Sequence, residues 1–167
     1  SGKHAALDLD PSRLPLFEPD GWNWCLSNPA AVQVVRELVV ELHEAFGNPP
    51  LVHIGCDEAD PPTCARCRAV GSYGKLLGDH ICGIAALLKH RGARTMIWHD
   101  MMLERDDPRW TTPEGATEFI RAFGSKESAA VLDRLPPDVV ICDWQYKRPK
   151  DLDKSKWPTL EHLIAHG

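Results

Sequence analysis

Residues 51–60 read LVHIGCDEAD, an apolar run that climbs to a Gly-Cys pair and then meets two adjacent acids, Asp57 and Glu58. Successive strand residues point to opposite faces, so neighbours share one site only where a strand stops or bends. Gly55 has no Cβ and permits such a bend. Two further apolar runs end in a similar way. ARTMIWHD closes on Trp98, His99 and Asp100, and DVVICDW runs through Asp143 and Trp144 to Gln145 and Tyr146. Acids beside aromatic rings suit carbohydrate chemistry: an indole packs on the apolar face of a sugar ring, and carboxylates bind hydroxyls or move protons. The plainer alternative makes the Asp residues caps and the Trp residues core. Most glycosidases set two acids on opposite sides of the scissile bond, about 5 to 9 Å apart. Adjacent acids suit a different arrangement. The substrate supplies its own nucleophile, one acid protonates the leaving oxygen, and the other steers the internal nucleophile.

These three ends need a scaffold that brings them together, and the chain order supplies one. SNPAAVQVVRELVVELHEAFGN predicts a helix, with Ser27 or Asn28 as cap, Pro29 in the first turn and Gly47-Asn48 as the stop. Val34, Val35, Leu38, Val39, Leu42 and Phe46 recur at helical spacing and form its expected buried stripe. LVHIG then reads as a short buried strand, ADPPTCARC as a loop, and GSYGKLLGDHICGIAALLKHRG as a second helix stopped by Gly92. After the second strand and a loop, Thr112-Pro113 opens a short helix, SKESAAVLDRLPP gives another, and SKWPTLEHLIAHG starts one more beyond the third strand. Residues 1–28 hold Pro11, Pro15 and Pro19 and read as a long irregular loop, while residues 29–167 read as α/β units. Alternating helices and short Val/Ile-rich strands predict an α/β fold with a parallel sheet. Both a doubly wound sheet and a (β/α)8 barrel fit, and in either the site lies at the C-terminal ends of the strands. No glycine-rich phosphate loop follows a strand, which argues against dinucleotide binding.

Composition narrows the partners. A net charge of −5 with no long basic run argues against nucleic acid. No stretch reaches the roughly 18 apolar residues that span a bilayer, so no membrane partner is expected. The opening SGKHAALDLD carries no apolar signal-peptide core, which leans the expected compartment towards the cytoplasm. Six cysteines are present, mostly in apolar contexts, and read as buried free thiols. Cys64 and Cys67 have ligand spacing, and His53, Cys56 and Asp57 lie close by in sequence. A zinc site needs a second ligand pair. No second CxxC exists and the nearest further histidine is His80, so no metal is expected, and a Cys64–Cys67 disulfide stays open.

The residues themselves reach a known family. HIGCDEA resembles the His-x-Gly-Gly-Asp-Glu motif of glycoside hydrolase family 20, the β-N-acetylhexosaminidases, with Cys56 where the family has its second Gly. WNWCLSNPAAVQVVRELVVELHEAF resembles the Cys-x-Ser-x-Pro segment and helix before that motif, and MIWHDMM resembles the end of the following strand. The likeness covers most of residues 20–147 and is nearest to the hexosaminidase D-like, single-domain branch. It implies a partial (β/α)8 TIM barrel, about strands four to six, within one partial catalytic domain over residues 1–167. It implies release of terminal β-linked N-acetylhexosamine from glycans by a substrate-assisted retaining mechanism, with no cofactor. Glu58 would be the general acid/base and Asp57 would hold the acetamido N–H. The acetamido oxygen would attack the anomeric carbon, giving an oxazolinium that water later opens, with the advantage of an intramolecular reaction. Partial burial and the Asp57 charge are expected to keep Glu58 protonated near neutral pH.

By the same resemblance Trp98 lines the acetamido pocket and Tyr146 hydrogen-bonds the acetamido oxygen. Trp144 is a pocket wall or a core residue. Asp100 binds a sugar hydroxyl or caps its loop. His53 is a buried, hydrogen-bonded scaffold residue, and His4 lies near the rim. The alternatives are a non-catalytic sugar-binding or structural barrel fragment, and a Cys/His metal-binding protein.

Overall fold

The computed structural model describes residues 9–110, 121–146 and 157–166. His4 and the short helix expected from Thr112-Pro113 lie outside these residues. The first helix, α1 (Pro29–Ala45), starts where its cap predicts. The Asn28 carboxamide accepts the Ala30 N–H at 3.1 Å, and Pro29 fills a first-turn position whose N–H has no helical acceptor. Gly47 (φ 77°) and Asn48 (φ 57°) then turn the chain through the left-handed region into β1 (Leu51–His53).

The stretch read as a Pro/Cys-rich loop contains a helix, α2 (Ala65–Val70), capped by the Cys64 sulfur, which accepts the Cys67 N–H. The prolines ahead of it mask that signal. α3 (Tyr73–His90), capped by Ser72, leads into β2 (Arg94–Trp98). SKESAAVLDRLPP is helical only over α4 (Lys126–Ala129) and continues as a 3-10 turn, Leu132–Arg134. Pro136 disfavours the helical conformation at Leu135 and ends the run. β3 (Val140–Cys142) and α5 (Pro158–Ala165) complete the order.

The three strands form one parallel, open sheet in the order β1-β2-β3. Leu51 pairs with Arg94, His53 with Met96, Met96 with Val140 and Trp98 with Cys142. Helices cover one face. Ile97 meets Leu77, Ile81 and Leu132, with Ile141 packed against them. Val52 and Ile54 pack against Val39, Ile84 and Leu88. Strand alternation sends His53, Met96 and Trp98 to the other face, where Met96 and Trp98 are half-buried and His53 is exposed. His53 is therefore not the buried scaffold residue that its motif implied.

The stripe of α1 is also only partly realised. Val39 is buried, but Leu38, Leu42 and Phe46 are 42%, 52% and 77% exposed. α1 meets α3 and β1 through Val35 and Val39, and Ala31 is also buried, so the exposure along the stripe is confined to Leu38, Leu42 and Phe46 on its C-terminal half. The segment before α1 is irregular, as expected, but it is built. Pro11–Leu16 is a 3-10 helix, and Phe17 bridges Trp24 with their rings stacked at 4.3 Å. No described helix is long and apolar enough to cross a membrane.

Candidate active site

The bend expected after β1 is present and sharp. Gly55, Cys56 and Glu58 all take positive φ, at 77°, 70° and 46°. This conformation costs an L-residue about 1–2 kcal/mol, so Cys56 and Glu58 are held there by what surrounds them. The holder of Glu58 is Asp100. Asp100 is completely buried, and its Oδ2 accepts the Glu58 N–H at 2.8 Å. Its Oδ1 accepts the Trp144 indole N–H at 2.9 Å. One carboxylate thus ties together the residues that follow all three strands. Each oxygen accepts from the protein, so Asp100 braces the three strand ends against one another.

Asp57 and Glu58 are exposed beside this brace. Glu58 therefore lacks the partial burial expected of it. Glu58, Ala59, Asp60 and Tyr73 stand between two clefts. The larger, about 640 Å³, continues along Met101, Glu104, Arg105 and the Phe123–Lys126 turn. The second, about 400 Å³, is closed by Trp22, Asn23 and Trp24 of the N-terminal loop and includes Asp57. The Tyr73 hydroxyl is buried without a hydrogen-bond partner. Burial, then the neighbouring Cys56, Asp100 and Asp60, push its pKa up, so it remains a donor at every ordinary pH. Nothing in the sequence around Tyr73 marks it.

The aromatic residues form a separate wall. The His53 ring lies 4.3 Å from Trp98, Trp98 6.4 Å from Trp144, and Trp144 5.3 Å from Tyr146. Tyr146 is 73% exposed at the end of this row. The Arg121 guanidinium stands 5.4 Å from the Trp144 ring, within cation–π range. None of Trp98, Trp144 and Tyr146 lines either cleft. The wall and the acids are joined through Asp100 and Trp144 rather than by a shared cavity.

Behind the wall His99 is fully buried. Gln145 accepts the Arg121 N–H at 2.7 Å and donates to the Arg121 carbonyl at 3.2 Å, which fixes its amide orientation. Its NH2 then faces His99 Nε2 at 2.8 Å, a nitrogen that also lies 3.3 Å from an Asp143 carboxylate oxygen, while Nδ1 stands 3.2 Å from the Cys142 carbonyl and 3.3 Å from the Trp144 backbone nitrogen. Cys56 sits beneath the turn, and burial together with Asp57 and Asp100 pushes its thiol pKa up to about 12.

All six cysteines are free, but only Cys25 and Cys67 are fully buried. Cys25, Cys64, Cys67 and Glu18 gather below the second cleft. His53, Cys56 and Asp57, grouped with the CxxC by sequence proximity, are not part of that cluster. Its other members come from the N-terminal loop, far away in sequence.

No protein-family model and no curated protein matches the chain. A solved structure does: the β-N-acetylhexosaminidase from Bacteroides fragilis NCTC 9343 superposes with a TM-score of 0.56 at 17% identity. The superposition covers 97% of this chain and 28% of that one. The likeness is one of fold. Three parallel strands in an open sheet, with their helices, resemble part of a hexosaminidase barrel.

Proposed function

We propose that the chain supplies the acid-bearing part of a glycosidase site that releases terminal β-linked N-acetylhexosamine by substrate-assisted, retaining catalysis. The observation that carries the reading is the left-handed turn after β1, which leaves Asp57 and Glu58 exposed while Asp100 ties its backbone to Trp144. The fold likeness to a β-N-acetylhexosaminidase supports the reading, and the motif resemblance supports it independently. In this scheme Glu58 protonates the leaving oxygen and later deprotonates water. Asp57 orients the acetamide N–H and stabilises the oxazolinium. Trp98 and Trp144 offer apolar faces to the sugar, Tyr146 reaches the acetamido oxygen, and Asp100 is a positioning residue.

The test belongs in the full-length protein. Glu58→Gln is expected to lower kcat by about 10² to 10⁴ on a chromogenic β-N-acetylglucosaminide. Substrates with good leaving groups need less protonation and lose less in the first step. An equal loss for good and poor leaving groups would rule Glu58 out as the acid. Hydrolysis of a 2-hydroxy glucoside as fast as the 2-acetamido sugar would rule out the internal nucleophile.

A further inference from the structure

We propose that Cys25, Cys64, Cys67 and Glu18 form a tetrahedral zinc site that staples the N-terminal loop to the loop after β1. The argument starts from spacing. Four ligands at about 2.3 Å from a tetrahedral centre stand about 3.75 Å from one another. The Cys25 sulfur lies 3.7 Å from the Cys64 sulfur and 3.7 Å from the Cys67 sulfur. All four candidate ligand atoms fall within 4.8 Å of one another.

Close-packed neutral thiols would stand at similar separations, so the distances alone decide nothing. Glu18 decides. It is 1% exposed, and its Oε1 has no hydrogen-bond partner although it is buried. The donors that face this buried carboxylate are the Cys64 and Cys67 thiols, which are weak ones, and a cation held by the three sulfurs would meet the Oε1 charge more fully. The remaining atoms are already dressed as a second shell. The Glu18 Oε2 accepts the Thr63 and Cys64 N–H groups, each at 2.8 Å. The Cys64 sulfur accepts the Cys67 N–H at 3.2 Å, and the Ser27 hydroxyl lies 3.0 Å from the Cys67 sulfur. Donors of this kind orient anionic ligands and offset the excess negative charge of three thiolates and a carboxylate.

Three soft sulfurs and one oxygen in a closed tetrahedron select zinc over calcium or magnesium, which take oxygen ligands only. On binding, each thiol gives its proton to solvent as its sulfur bonds the metal. A disulfide fits less well. The sulfurs are well beyond the roughly 2.05 Å of a bond, and whichever pair closed would strand the third. The site's consequence is positional. It fixes Glu18 and Cys25 on either side of Trp22, Asn23 and Trp24, which wall the cleft that holds Asp57 and Glu58.

The experiment is metal analysis of the full-length protein purified under reducing conditions without chelator. The expected result is a zinc equivalent that Cys25→Ser and Cys67→Ser each remove and that the remote Cys82→Ser leaves in place. Glu18→Gln, which keeps the shape of the side chain, should weaken zinc by at least the 10- to 100-fold that loss of an outer-shell partner costs (~10–100-fold). Should the cysteine variants fail to fold, cobalt substitution of the unaltered protein still decides. Thiolate charge-transfer bands with a tetrahedral d–d envelope support the site, and their absence overturns it. Zinc retained in Cys67→Ser, or a disulfide mapped between any two of the three cysteines in the reduced preparation, also overturns it. None of these readouts requires sugar hydrolysis, so failure of this site and failure of the glycosidase reading remain distinguishable.

Discussion

Asp100 shows what a single buried acid does for the arrangement. Two donors from different strand ends meet its two oxygens, and one of them belongs to a residue in a costly backbone conformation. Asp100→Asn keeps the shape but turns one acceptor into a donor, so either Glu58 N–H or the Trp144 indole N–H loses its partner. Stranding a buried donor costs about 1–3 kcal/mol. In the full-length protein we expect a loss of that size in urea denaturation and, on the proposed glycosidase reading, kcat falling more than KM changes, because Glu58 is displaced while the aromatic wall remains. Unchanged stability would show that the turn is held by something else. Cys56 yields a prediction in pH. Its thiol pKa is raised to about 12 in the folded state, against roughly 8.5 in an unfolded chain. The folded state therefore keeps a proton that the unfolded state loses between those values. The associated stability is complete below the unfolded pKa and is lost as pH rises towards 12, at up to about 1.4 kcal/mol per unit. The melting temperature should fall above pH 9, and less steeply in Cys56→Ser, whose hydroxyl does not titrate there. An identical alkaline slope in the two proteins would contradict this.

Between elements, α3 and α4 come together closely at Gly74. A Cβ on Gly74 would lie 2.0 Å from the Glu127 carbonyl oxygen and 2.6 Å from its carbon. The Glu127 carboxylate in turn accepts the Ser72 hydroxyl and the Tyr73 N–H, each at 3.1 Å, at the start of α3. Alanine in a helix is better than glycine by about 1 kcal/mol, so propensity alone predicts that Gly74→Ala stabilises. The obstacle is backbone rather than a flexible side-chain tip, and overpacking of this kind costs about 1–3 kcal/mol. The clash should win. We expect a net destabilisation in thermal melts and a disturbed Tyr73 at the wall of both clefts. A more stable Gly74→Ala would mean that α4 is free to move away.

Among the described residues, the chain presents an open three-stranded sheet with apolar side chains exposed near one edge. Leu38, Leu42, Phe46 and Leu51 are 42%, 52%, 77% and 44% exposed around the β1 edge. Each large apolar side chain left wet forgoes about 1.5–3 kcal/mol, against a usual total stability of about 5–15 kcal/mol. Unpaired strand edges add sites for pairing between chains. The solved hexosaminidase that the chain resembles is more than three times longer by the same superposition, in which this chain covers 28% of it. Residues 1–167 expressed alone should therefore self-associate and show no turnover on a chromogenic β-N-acetylglucosaminide, whereas the full-length protein should turn over. Light scattering beside the assay checks both. A soluble monomer with the full-length rate would show this stretch to be a complete catalytic unit.

The sequence by itself determined what depends on neighbours in the chain. The start of α1 at Asn28-Pro29, the stop at Gly47-Asn48, three short apolar strands and a bend at Gly55 were legible, because caps, φ preferences and side-chain periods act over a few residues. The acids Asp57 and Glu58 could be singled out for the same reason. Burial was not legible. The period that marks Leu38, Leu42 and Phe46 as apolar does not say whether another element covers them, and the pattern of His53 does not say that its side chain stays exposed. Nor could spacing reveal that Asp100 accepts from Glu58, that Tyr73 stands between two clefts, or that Glu18 and Cys25 come to Cys64 and Cys67. Those contacts join residues about 40 or more positions apart along the chain. Only the closing of the N-terminal loop and the alignment of the strands decide them, since no local preference encodes a meeting of distant side chains.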